Sequence, residues 1–104
     1  MVDFGPNIPG ISDEEVLCLT KNVYFEAGIE DGYGKFAVAL TTLNRVRHKK
    51  FPNTVCEVVY QGSRMKNRPR ACQFSWSCDR KSDQPSSRRL WFESLRIATL
   101  ALRF

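Results

Sequence analysis

Long apolar runs are missing from these 104 residues. None approaches the roughly 18–20 residues that a bilayer-spanning helix needs, so stable membrane insertion is not expected. Histidine is almost absent: His48 is the only one, and the four cysteines (Cys18, Cys56, Cys72, Cys78) contain no C-x-x-C pair. That spacing argues against a structural zinc site, and nothing in the sequence calls for a metal or other cofactor. The first residues, Met1 to Pro6, hold neither the basic segment nor the apolar core of a secretory signal. The expectation is therefore synthesis in the cytoplasm without a signal peptide. Internal repeats, low-complexity tracts and helix-turn-helix or RNP-like signatures are also lacking.

What is present is enough for one small folded domain. Hydrophobic residues make up 42% of the chain and aromatics 12%, which is a core-forming composition rather than a disordered one. The net charge is +5, but it is unevenly placed. Residues 1–31 carry seven acids and a single base, Lys21, whereas the remainder carries 15 bases against four acids. A basic body under an acidic first segment suits an anionic polymer such as nucleic acid, a lipid surface or bacterial cell wall. The densest basic run, Arg64 to Arg70, has no interleaved aromatics, so a nucleic-acid partner is not expected.

Along the chain, Gly5, Pro6, Pro9 and Gly10 mark residues 1–11 as an extended arm before a single domain over 12–104. Ser12-Asp13-Glu14-Glu15 reads as a capping box opening a first helix, with Val16, Leu19, Val23 and Ala27 at helical spacing and Gly28 as its stop. A second helix starts near Gly32 or Tyr33, with the stripe Tyr33, Phe36, Ala37, Leu40, Leu43 and Val46. Thr54 can cap a short helix ending at Tyr60. Residues 61–85 are irregular. Within them Gln73-Phe74-Ser75-Trp76-Ser77 alternates polar and apolar, as a strand or hairpin arm would. A last helix runs from about Ser87, with Leu90, Trp91, Leu95, Ala98 and Leu102 on one face. The predicted fold class is mostly α, with three or four helices and one short irregular or β-containing excursion near 61–85. Cys18 and Cys56 lie in helical patterns and read as small core residues, whereas Cys72 and Cys78 flank a short segment that a disulfide can close in an oxidising compartment, free thiols in a loop being an equally ordinary reading.

Asn22-Val23-Tyr24-Phe25-Glu26-Ala27-Gly28 carries the chemistry. It sets one carboxylate among apolar and aromatic neighbours in the last turn of a helix, where the macrodipole disfavours negative charge. Desolvation there raises a carboxyl pKa, which is what a general acid needs. On spacing alone Glu26 also reads as an ordinary solvated glutamate.

Four ordered blocks carry a resemblance: Tyr24-Phe25-Glu26-Ala27-Gly28; Phe36-Ala37-Val38-Ala39 with Leu43-Asn44-Arg45-Val46; Phe51-Pro52-Asn53-Thr54-Val55-Cys56 with Val58-Val59-Tyr60; and Cys72-Gln73-Phe74-Ser75-Trp76. Over roughly residues 13–100 the chain resembles the cell-wall hydrolase family of the spore-cortex-lytic enzymes, whose members also occur in phages. The resemblance implies a lysozyme-like α+β catalytic domain that cleaves peptidoglycan glycan strands, with Glu26 at the catalytic position. It further implies a lytic transglycosylase that cuts between N-acetylmuramic acid and N-acetylglucosamine and leaves a 1,6-anhydro end. Hydrolytic glycosidases generally use two carboxylates, whereas this chemistry can run on one. Relatives often have arginine where Gly28 stands, which would leave a cleft cation missing here, and they often continue beyond the last helix; the chain then reads either as a minimal version or as one whose cleft a partner chain or virion proteins complete.

Tyr24, Glu30, Tyr60, Gln73, Phe74, Ser75 and Trp76 are the candidate substrate contacts. For Glu30 a solvated turn is the competing reading, and for Phe74, Trp76 and Tyr60 it is the core. Arg45 is expected to pair with an early acid. Delivery to the cell wall or periplasm would be by a holin, a virion or another route. The alternative function is a catalytically weak cell-wall-binding or virion structural protein.

Overall fold

The structure, a computed structural model, describes residues 10–62, 72–79 and 84–104. Most of the expected arm and the basic run at 64–70 lie outside them. The described chain is mostly helical: α1 (Asp13–Ala27), α2 (Gly32–Arg47), α3 (Val55–Val59), a 3-10 turn (Ser75–Cys78) and α4 (Arg88–Leu102). Helix α1 packs against the other three helices, and α2 packs against α3 and α4. Leu19, Val23, Val58 and Val59 are sealed from solvent at the centre, joined by Ala39, Leu43, Ala98 and Ala101.

The helix starts follow local chemistry. The hydroxyls of Ser12, Thr54 and Ser87 accept from the backbone N–H three residues on, each filling one donor that a helix start leaves open. Asp31 does the same for α2, accepting from the Gly34 N–H at 2.9 Å. Gly34 allows that turn to close, because a Cβ there would lie 2.8 Å from the Glu30 Cβ. Gly28 ends α1 in right-handed rather than left-handed geometry. A side chain at 28 would press on the Tyr24 carbonyl oxygen.

Three expectations change. The capping box at Ser12 is only half made. Glu15 does not turn back on its own helix; its carboxylate accepts the N–H groups of Val55 and Cys56, both at 2.8 Å, and caps α3 instead. Cys18 and Cys56 are not separate core residues but a disulfide, with Cα atoms 5.2 Å apart, joining α1 to α3. On α2, Tyr33 is 89% exposed and Ala37 is also exposed; Lys35 is buried instead, its ammonium 2.7 Å from Glu93 of α4.

The segment expected to be a strand is wound. Phe74 and Trp76 are buried while Gln73 and Ser75 are exposed, so the alternation of environment holds. No neighbouring strand among the described residues offers a ladder. The Cys72–Cys78 disulfide closes the segment, and both the N–H and the hydroxyl of Ser77 turn back to the Phe74 carbonyl.

Candidate functional site

Glu26 occupies the last turn of α1, and its predecessors anchor that turn in aromatic contacts. The Phe25 ring stacks on Trp76, centroids 4.9 Å apart and planes 25° from parallel. Tyr24 meets the edges of Phe25 at 4.9 Å and of Trp91 at 5.9 Å, and Tyr60 meets Trp76 at 5.6 Å. A row of rings from α4 through α1 to the end of α3 thus fixes the backbone that carries the carboxylate.

Trp76 is held by a buried polar chain. Its indole N–H donates to Asn22 Oδ1 at 2.8 Å, Asn22 Nδ2 donates to Thr42 Oγ1 at 2.9 Å, and the Thr42 hydroxyl donates to the Val38 carbonyl at 2.8 Å. Asn22 and Thr42 are both fully buried. Each polar atom in that series is satisfied, so the site behind Glu26 is specified by hydrogen bonds as well as by packing.

The Glu26 side chain is open to solvent, yet surrounding protein strips enough water from it to raise its carboxyl pKa above the ordinary value. The charge of Arg45 acts in the opposite direction and is the weaker influence. The two residues form no ion pair. Arg45 instead lies between two rings, its guanidinium carbon 5.1 Å from the centre of Phe74 and 5.6 Å from that of Phe51. Its Nη1 is buried without a hydrogen-bond partner, as is Oε1 of Gln61. The expected early partner of Arg45 is therefore reached by charge alone.

The other candidates divide. Gln73 and Ser75 are exposed, and Tyr60 is half-buried. Phe74 and Trp76 are core residues, with 8% and 6% of their surfaces exposed. The Tyr24 hydroxyl is engaged: its oxygen accepts the N–H groups of Ser86 and Ser87, both at 3.0 Å, and hydrogen bonding to the Ser86 side chain, with these backbone bonds, lowers the phenol pKa. Glu30 stands in the exposed turn between α1 and α2, where its N–H donates to the Ala27 carbonyl at 2.9 Å. No charge effect or hydrogen bond brings it to Glu26. Among the described residues, the charge that bears on Glu26 is a cation and no carboxylate does. No cluster of three or more metal-ligating side chains occurs among those residues either.

Sequence reasoning missed Asn22, Thr42 and Glu15. For Asn22 a signal existed: a polar residue one helical turn before Glu26, beside the apolar stripe. For Glu15 the capping-box pattern pointed to the wrong partner.

Two curated relatives, both spore cortex-lytic enzymes of Bacillus cereus, are 40% identical over 58 residues, a match that covers 55% of this chain and 22% of each relative. The chain thus aligns with about a fifth of their length. No solved structure matches. A family model described as Cell Wall Hydrolase matches residues 29–104, well over half of the sequence, and the chain belongs to that family.

Proposed function

We propose that this protein cleaves the glycan strands of peptidoglycan as a lytic transglycosylase, with Glu26 as its single general acid and base. The observation that carries the reading is a carboxyl whose pKa is raised by desolvation, with no second carboxylate acting on it among the described residues. Membership of the cell wall hydrolase family and the likeness to spore cortex-lytic enzymes support the substrate.

In this scheme protonated Glu26 gives its proton to the oxygen between N-acetylmuramic acid and N-acetylglucosamine as the bond from that oxygen to the anomeric carbon breaks. The 6-hydroxyl oxygen of the same muramic residue then bonds to the anomeric carbon. The carboxylate takes the hydroxyl proton, which restores the acid. Water is not consumed, and one carboxyl serves both steps. The raised pKa serves both steps: it keeps the acid protonated for the first and makes its carboxylate a stronger base in the second. Exposed Gln73 and Ser75 are the proposed contacts to sugar amides and hydroxyls, with Tyr60 lining the cleft. Phe74 and Trp76 form the packed wall behind them, Tyr24 sets the entry to α4, and Glu30 lies at the outer edge. Residues 12–104 would form the catalytic domain of lysozyme-like type, acting at the cell wall after delivery by a holin, virion or other route.

Mass spectrometry of fragments released from purified sacculi tests the reaction type. Products lighter by one water than the hydrolytic ones are expected. Products of full hydrolytic mass would replace transglycosylation with hydrolysis.

A further inference from the structure

A concave surface lies between α1 and the start of α4, and Glu26 is not part of its lining. Leu17 and Lys21 of α1 face Gln84, Ser86, Arg88 and Trp91 across a cavity of about 470 Å³. The described lining contains two cations and no carboxylate. Among the described residues neither Lys21 nor Arg88 is in an ion pair; the pairs there join Lys35 and Arg89 to Glu93. Lys21 is also the lone base within the acidic first third of the sequence. Two cations with no counter-ion among the described residues, beside an indole and an aliphatic side chain, suit a carboxylate carried on an apolar stem. Three backbone donors around the start of α4 are already engaged. The N–H groups of Ser86 and Ser87 are already taken by the Tyr24 hydroxyl, and that of Leu90 by the Ser87 hydroxyl.

The relation to Glu26 selects the ligand. Leu17 and Lys21 share one face of α1, and Glu26, nine and five residues on, is turned about 180° and about 140° from them around the helix axis. A ligand that reaches both places has to cross a helix about 10 Å across. A carboxylate fixed on a sugar ring is too short. An extended peptide of four or five residues spans about 13–18 Å and is long enough.

We propose that the Lys21–Arg88–Trp91 pocket binds the carboxylate-bearing stem peptide of peptidoglycan while the glycan lies at Glu26. This inference rests on the glycan-cleaving reading above. The peptide acts as a second point of attachment, so the pocket favours uncut, peptide-substituted wall over bare glycan.

Titration calorimetry on a Glu26→Gln background, in which ligand is not consumed, tests it. The probes are soluble glycan fragments with their stem peptides and the same fragments stripped of peptide by an amidase. The peptide-bearing fragments are expected to bind about tenfold tighter. In Lys21→Gln/Arg88→Gln that ratio should fall to about one, and in Lys21→Arg it should persist, because a cation remains. A ratio unchanged in the double variant, at matched thermal stability, overturns the pocket assignment. Equal affinity of the two fragments for the parent protein also overturns it, places any carboxylate contact on the sugar itself, and leaves the glycan reading standing. Binding of neither fragment overturns both.

Discussion

Asn22 holds Trp76 in place: the indole N–H of the 3-10 turn donates to the Asn22 side-chain oxygen at 2.8 Å, across 54 residues of sequence. The same amide donates to Thr42, so one residue of α1 ties the turn to α2. The turn carries Ser75, with Gln73 two residues before it, and α1 carries Glu26, so this contact sets how the two halves of the proposed cleft meet. Asn22→Ala leaves a buried donor and a buried acceptor unpaired and should cost about 2–4 kcal/mol. Trp76→Phe should cost less, and a double-mutant cycle read by urea unfolding should give a coupling of about 0.5–3 kcal/mol. Strict additivity would remove the hydrogen bond from this account.

The two disulfides should differ in weight. Cys18–Cys56 joins residues 38 apart, and Cys72–Cys78 joins residues 6 apart. In the chain-entropy description the first is worth about 4 kcal/mol and the second about 2 kcal/mol. The urea midpoint of Cys18→Ala/Cys56→Ala should therefore fall further than that of Cys72→Ala/Cys78→Ala. The reverse order would show that native-state packing, not loop closure, decides.

Glu15 caps a helix that is not its own. Glu15→Gln can satisfy at most one of the two N–H groups of Val55 and Cys56 well, and Glu15→Ala neither. Losses of about 1 and about 2–3 kcal/mol are expected. Hydrogen exchange at Val55 and Cys56 should accelerate in step with those losses; unchanged protection there would contradict the capping role.

Acidity at Glu26 gives two linked expectations. The folded chain holds the Glu26 proton to higher pH than the unfolded chain does, so the associated stability is present at low pH. It is lost as pH rises from the ordinary 4.5 through the raised folded pKa. Over that window Glu26→Gln should gain stability relative to the parent. The alkaline limb of the cleavage profile should follow the same pKa, because only the protonated carboxyl starts the reaction. Arg45→Met keeps an aliphatic stem between Phe51 and Phe74 and removes the charge that pulls this pKa down. Its alkaline limb should therefore move to higher pH, and a move to lower pH would reverse the sign of the Arg45 effect.

Much of the architecture was readable because it is local. Ser12, Thr54 and Ser87 each announce a helix within three residues, and the stripe Val16, Leu19, Val23 and Ala27 states which side is buried. The misreadings share a cause: each depends on what the folded chain brings near. Cys18 meets Cys56, and Glu15 meets the start of α3, only once α1 and α3 pack. Phe74 and Trp76 alternate as a strand would, but with no adjacent edge among the described residues the backbone is wound into a turn. The upward shift of the Glu26 carboxyl pKa was legible from its apolar neighbours in sequence. The cation held between Phe51 and Phe74 was not, since two rings far apart in sequence make its place.

The central claim is that Glu26 supplies the proton. The most direct measurement is the initial rate of glycan cleavage from purified sacculi by Glu26→Gln beside the parent protein, with thermal unfolding and fragment binding recorded on the same samples. The account predicts a loss of about 10² to 10⁴-fold in rate, with folding and binding retained, because the amide occupies the same place but has no proton to give. Cleavage within a few-fold of the parent rate, in a variant that folds and binds as the parent does, would contradict it.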